Sequence, residues 1–151
     1  MGLLDDVVGK CRKLGRMKYD PSVWGWAWVE GGKPPRTKGV YFLVSSHGIE
    51  KVGSARGQNG MKRRLSDYVR RCSRLRVEDR TCVLWDRVMT GEMQGEEVDV
   101  YCIEVDETLM KVVTPLGEVE LEANIVLGLE AHYFKLAVAE REPMRLCGAS
   151  P

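Results

Sequence analysis

The feature that most constrains this chain is a short stretch near its first third. Gly39 to Ser45 reads GVYFLVS, a β-branched and aromatic run with no helical spacing. Ser46-His47-Gly48 follows as a turn, and Ile49 to Gly53 reads IEKVG. A turn that short leaves two strands little choice but to pair antiparallel. The fold must therefore contain a hairpin at residues 39–53, and everything else has to pack around it.

The flanking segments supply helices. Met61, Leu65, Tyr68, Val69, Cys72 and Leu75 predict a helix over about 60–74, with Asn59 as its N-cap and Lys or Arg at most other positions. Val77, Thr81, Leu84, Trp85 and Val88 suggest a second short helix stopped near Gly91. Residues 123–139 are almost wholly apolar and read as a buried helix. Leu3, Leu4, Val7, Val8, Cys11 and Leu14 recur at helical spacing, so residues 3–16 read as an amphipathic helix. Trp24, Trp26 and Trp28 alternate with Gly25 and Ala27 and put three indoles on one face of an extended segment, read as a flap over the core. Glu30-Gly31-Gly32-Lys33-Pro34-Pro35 is a loop. Val98, Val100, Cys102 and Val105 belong to a third strand, and residues 111–121 form an added hairpin around Thr114-Pro115-Leu116-Gly117.

Charge sharpens the picture. The chain of 151 residues carries 23 basic and 22 acidic groups, a net charge of +1. A generic nucleic-acid binder is far more positive, but the total hides a block. Between Arg56 and Arg80 nine cations face only Asp67, Glu78 and Asp79, whereas between Glu92 and Glu130 eleven carboxylates face Lys111 alone. One basic region on an otherwise acidic chain is a directed electrostatic surface. The five cysteines form no C-x-x-C pair and fit no disulfide framework, and no apolar run approaches the ~20 residues of a membrane helix. Asp5 and Asp6 stand where a signal peptide would be basic and then apolar. A cytoplasmic protein with reduced cysteines and no membrane partner is expected.

Within this frame a few residues carry chemistry. Glu130 lies in the apolar run Ile125 to Phe134, where a bare carboxylate is costly unless it is paired or bound to a cation. Tyr41 sits in the first strand of the hairpin, and Lys51 in the returning strand could favour its phenolate. Arg64 on the basic helix can hold a phosphate, with Tyr68 one turn further along the same face.

Taken in order, Gly39-Val40-Tyr41, then Lys51-Val52-Gly53-Ser54-Ala55, then Arg63-Arg64-Leu65 with Tyr68, then Glu130 on a late helix, the chain resembles the GIY-YIG nuclease superfamily over roughly residues 38–140. Lys51 stands where the family has its second tyrosine, as in the restriction-enzyme branch. The family's asparagine after the glutamate has no counterpart. The resemblance implies a small α+β domain, a three-stranded antiparallel sheet flanked by helices. Residues 1–37 would extend it with a helix and a Trp-rich loop, the hairpin would be an insertion, and residues 141–151 a tail. It implies a metal-dependent DNA endonuclease, restriction-type or phage-encoded, with Tyr41, Lys51, Arg64, Tyr68 and Glu130 catalytic and Glu130 holding Mg²⁺ or Mn²⁺. Arg56, Lys62, Arg63, Arg70, Arg71, Arg74 and Arg76 would neutralise DNA phosphates. Paired cutting would need a homodimer. The alternative is an inactive module that keeps the fold and binds nucleic acid.

Overall fold

In the computed structural model, residues 2–20, 25–69, 93, 95–105, 109–122, 125–141, 144 and 146 are described. The expected helix over 77–88, the end of the basic helix, and Trp24 lie outside them. The order is α1 (Leu3–Lys10), β1 (Arg12–Asp20), β2 (Gly25–Gly31), β3 (Gly39–Ser45), β4 (Gly48–Ala55), α2 (Gly60–Val69), β5 (Glu97–Glu104), β6 (Leu109–Thr114), β7 (Gly117–Glu122) and α3 (Ile125–Glu140).

The fold is α+β, but the main sheet has five strands, not three. Its order is β2-β1-β5-β3-β4, with every pairing antiparallel. The two additional strands come from the first 37 residues. The helix expected over 3–16 ends at Lys10. Cys11 is already extended, and β1 runs on from Arg12. Gly15 explains much of this. It sits at φ 152°, and a Cβ there would collide with the backbone carbonyl of Glu30. The backbone of β1 therefore lies closer to β2 than any other residue would permit. The tryptophan segment is β2, an edge strand rather than a loop. Trp26 is buried edge-on against Tyr19, and Trp28 packs on the same core.

Two cores flank the sheet. On one face Tyr41, Leu43 and Ala55 of the hairpin meet Met61, Leu65 and Tyr68 of α2, with Met17 and Trp26 beyond. On the other, Val40, Phe42 and Val52 meet Leu3 and Val7 of α1 and Val126 and Ala137 of α3. With both faces covered, all seven residues of β3 are buried, which is why its sequence is continuously apolar instead of alternating. The Glu140 carboxylate ties the two helices of the second face together, accepting the N–H groups of Leu3 and Leu4 at the start of α1.

The late helix departs from expectation. It is helical as predicted, but only Val126 and Ala137 are fully buried, and Ile125, Leu127 and Leu136 are exposed. One stripe packs on the sheet and the rest of an all-round apolar surface does not. The added hairpin is present as β6–β7, a two-stranded sheet of its own.

Candidate active site

The site begins with the register of β3 and β4. Ser45 pairs with Gly48 and Val44 with Ile49, but Leu43 pairs with Lys51. One extra residue, Glu50, is inserted at this bulge. Directly paired residues share a face, so the bulge turns Lys51 and Gly53 toward α2 and sends Glu50 elsewhere. Glu50 is wholly buried. It is neutralised by Arg141 at 2.8 Å and accepts the Ser45 hydroxyl at 2.7 Å. Sequence reasoning passes over this pair. Its only signal is a carboxylate between Ile49 and Lys51 in a strand that is otherwise mostly apolar or small.

Tyr41 pairs with Gly53. The pairing requires glycine, because a Cβ at position 53 would fall within the Tyr41 ring. The ring thus lies across its neighbour strand and points its hydroxyl at α2. There it meets the Tyr68 hydroxyl at 2.5 Å, with the rings edge-to-face at 5.8 Å. Arg64, one turn earlier on α2, lies over the Tyr68 ring at 5.6 Å, near the range in which a cation and a ring face attract. Its charge also acts on the Tyr41 hydroxyl, and its guanidinium lies 3.9 Å from Asp67.

The electrostatics follow from burial. Tyr41 has no exposed surface, and burial pushes its pKa above the ordinary tyrosine value. Arg64 and the hydrogen bond from Tyr68 pull it back, and the charge of Glu130 adds to the upward push. The net shift is upward, so the phenolate expected from a neighbouring Lys51 is not the resting form. For Arg64 burial works downward, but Tyr41 and Tyr68 outweigh it and the guanidinium is held charged.

Glu130 is on the packing stripe of α3, which lies against the edge strand β4. It is half-buried, and no described cation pairs with it. Among the described residues no three metal-ligating side chains cluster anywhere. A single unpaired carboxylate suits a hard divalent cation that keeps most of its shell as water and phosphate oxygens.

The structure thus brings Tyr41, Tyr68 and Arg64 into contact and sets Glu130 within electrostatic reach. Lys51 is one same-face step along β4 from Gly53 and half-buried. Of the expected DNA-binding cations, Arg56, Lys62 and Arg63 are exposed around the start of α2. Arg70, Arg71, Arg74 and Arg76 lie outside the described residues. So do Cys72, Cys82 and Cys147. Cys11 and Cys102 are free thiols, and burial pushes Cys102 up to about 11, too high for a reactive thiolate at neutral pH. Among the described residues no helix is long and apolar enough to cross a membrane.

No family model and no curated protein matches the chain. Among solved structures it is similar to a mutant of bacteriophage T4 EndoII, with a TM-score of 0.51 and 14% identity over 85% of this chain and 88% of that one. At that identity the likeness is one of fold.

Proposed function

We propose that this chain is a metal-dependent DNA endonuclease. The observation that carries the reading is the Tyr41–Tyr68–Arg64 cluster with the Glu130 charge bearing on it. The fold is also similar to that of the phage nuclease EndoII. The strand tyrosine and the two helix residues form a buried hydroxyl pair beside a guanidinium, with the charge of a carboxylate bearing on it. A phosphodiester needs that set. Arg64 offers a fork of donors to the non-bridging oxygens. Glu130 would hold Mg²⁺ or Mn²⁺, which when bound supplies positive charge at the phosphate and the leaving oxygen.

Tyr41 keeps its proton at neutral pH, so its hydroxyl serves as a donor or as one end of a relay through Tyr68, rather than as a standing base. Arg64 and Glu130 are the members that reach solvent, and a phosphate would meet them first. Lys51, turned to the same face by the bulge, adds a cation behind Tyr41. Restriction or phage-type cleavage of duplex DNA is the biological setting this reading favours, with a homodimer for double-strand cuts.

The test is supercoiled plasmid incubated with the protein and Mg²⁺ or Mn²⁺, with and without chelator. Nicked or linear product that disappears with chelator supports the proposal. Salt-sensitive binding with no product under either metal would leave an inactive binding module instead.

A further inference from the structure

We infer that the loop at residues 33–38 is a second phosphate-gripping element, in which Lys33 and Arg36 continue the row of cations that Lys62 and Arg63 begin on α2. The inference rests on the DNA reading above and names how the backbone is held beside Arg64. Three observations carry it.

The first is that the loop is fixed to the helix. The N–H of Met61 donates to the Thr37 carbonyl at 2.9 Å and that of Lys62 to the Pro35 carbonyl at 2.8 Å. On the far side the Val105 N–H donates to the Lys38 carbonyl at 2.9 Å. Gly60, at φ 48°, allows the approach, since a Cβ there would strike the carbonyls of Arg36 and Thr37. Arg36 therefore stands beside the first turn of α2 by construction.

The second is that the first-turn donors are spent. Met61, Lys62 and Arg63 all give their N–H groups to carbonyls, the last to Asn59. The end of this helix is closed to an anion, so phosphate has to be met by side chains.

The third is the pairing of charges. On the β1–β5 side three of the four cations of β1 are neutralised: Arg12 by Glu104, Lys13 by Glu30 and Asp99, and Arg16 by Asp99, Glu30 and Glu97. Lys33, Arg36, Lys62 and Arg63 are exposed, and no described carboxylate lies within ion-pair distance of any of them. Arg36, Lys62 and Arg63 at the start of α2, extended by Lys33 toward the Arg12 end of β1, are cations on a fixed backbone that match the regular negative charge of a nucleic-acid backbone, without reading its bases.

The experiment is the salt dependence of affinity for two short DNA duplexes of unrelated sequence, measured for the full chain. The double variants are Lys33→Ala with Arg36→Ala, Lys62→Ala with Arg63→Ala, and, as control, Lys111→Ala with Lys135→Ala. The loop's anchoring bonds are made by its backbone and by the Thr37 hydroxyl, which donates to Glu104 at 2.9 Å, so truncating Lys33 and Arg36 leaves it in place. Each lost phosphate contact lowers the salt slope by ~0.9, so the loop variant should lose ~2 in slope on both duplexes, as the helix variant should, and the control should lose nothing. A loop variant with wild-type slope and affinity overturns the inference while leaving the nuclease reading untouched. Wild-type protein with no salt-dependent binding overturns it as well, and plasmid cleavage then decides separately whether the nuclease reading stands.

Discussion

Two hairpins in this chain turn by the same local chemistry and end in opposite surroundings. In β3–β4 the Ser45 hydroxyl accepts the His47 N–H at 3.1 Å and lies 3.5 Å from the Gly48 carbonyl, with Gly48 at φ 124°. In β6–β7 the Thr114 hydroxyl accepts the Leu116 N–H at 3.1 Å and donates to the Gly117 carbonyl at 2.9 Å, with Gly117 at φ 121°. The turns are nearly superposable in their bonding. Yet every residue of β3 is buried, whereas Val113 is 83% and Leu116 98% exposed on the second hairpin. Turn chemistry makes a hairpin; helices on both faces make it a scaffold that can fix a hydroxyl. The first has α2 and α3 on it and carries Tyr41. The second has no described element packed closely on it, and its exposed carboxylates Glu118 and Glu120 would repel a phosphate backbone.

The largest expected effect tests whether the α3 side of the first hairpin belongs to the site. Glu130→Gln keeps size and removes charge. It should take metal-dependent plasmid cleavage below detection while thermal stability and most DNA affinity persist. Wild-type cleavage by this variant would remove α3 from the site and leave the tyrosine pair without a metal partner.

Next comes the bulge. Arg141 neutralises Glu50, which has no exposure at all. Replacing it with Met strands a buried carboxylate and should cost about 3–5 kcal/mol in denaturant unfolding. Cleavage should fall further than the unfolded fraction explains, because Lys51 depends on the same bulge for its face. A double variant, Arg141→Met with Glu50→Gln, should recover much of the stability. A stable single variant would mean the bulge is held by strand pairing alone.

These effects bear on how much was legible beforehand. The first hairpin, α2 and the helical state of α3 could be read, because each is specified within its own segment. Tyr41, Arg64 and Glu130 could be picked out by residue type and order. Three things could not. Residues 12–16 read as part of a helix because Cys11 and Leu14 extend the spacing of α1. The competing signal, Met17 and Tyr19 alternating with Lys18 and Asp20, gains force only beside β2 and β5. The bulge at Glu50 leaves no trace in a strand buried on both faces, where alternation is lost. Arg36 sits in a loop whose composition says only that it is a loop, and its place beside α2 is a tertiary fact.

Tyr41→Phe should act third. Removing the hydroxyl should slow cleavage by ~10²-fold, the scale of general acid–base catalysis. It also leaves the buried Tyr68 hydroxyl without its partner, which should cost about 1 kcal/mol or somewhat more. The pH dependence has a definite sign. Burial raises the Tyr41 pKa above 10.0 in the folded state, so its contribution to stability is complete below that pH and is lost as pH rises beyond it. The Phe variant should therefore show a shallower alkaline loss of stability than wild type. An equally steep limb would mean that Tyr41 is not the tyrosine whose ionisation unfolds the protein.

The smallest effect belongs to the second hairpin. Leu116 is the most exposed large apolar residue described, and its neighbour Pro115 already fixes the turn. Leu116→Ser removes an apolar side chain that touches solvent on nearly all sides, so folding stability should change by no more than about 0.5 kcal/mol. Cleavage should be unchanged too, because nothing in the turn approaches Tyr41. Thr114→Val is the sharper companion. It keeps the shape and deletes the hydroxyl that bonds Leu116 and Gly117, yet it too should leave activity intact, since an isolated two-stranded sheet contributes little to the fold around the site. The equivalent change at Ser45 also removes a bond to Glu50, and should lower both stability and cleavage. If Thr114→Val lowered cleavage as much as Ser45→Val, the two hairpins would share a function, and the contrast between them would have to be sought in how DNA lies on the protein rather than in how each is packed.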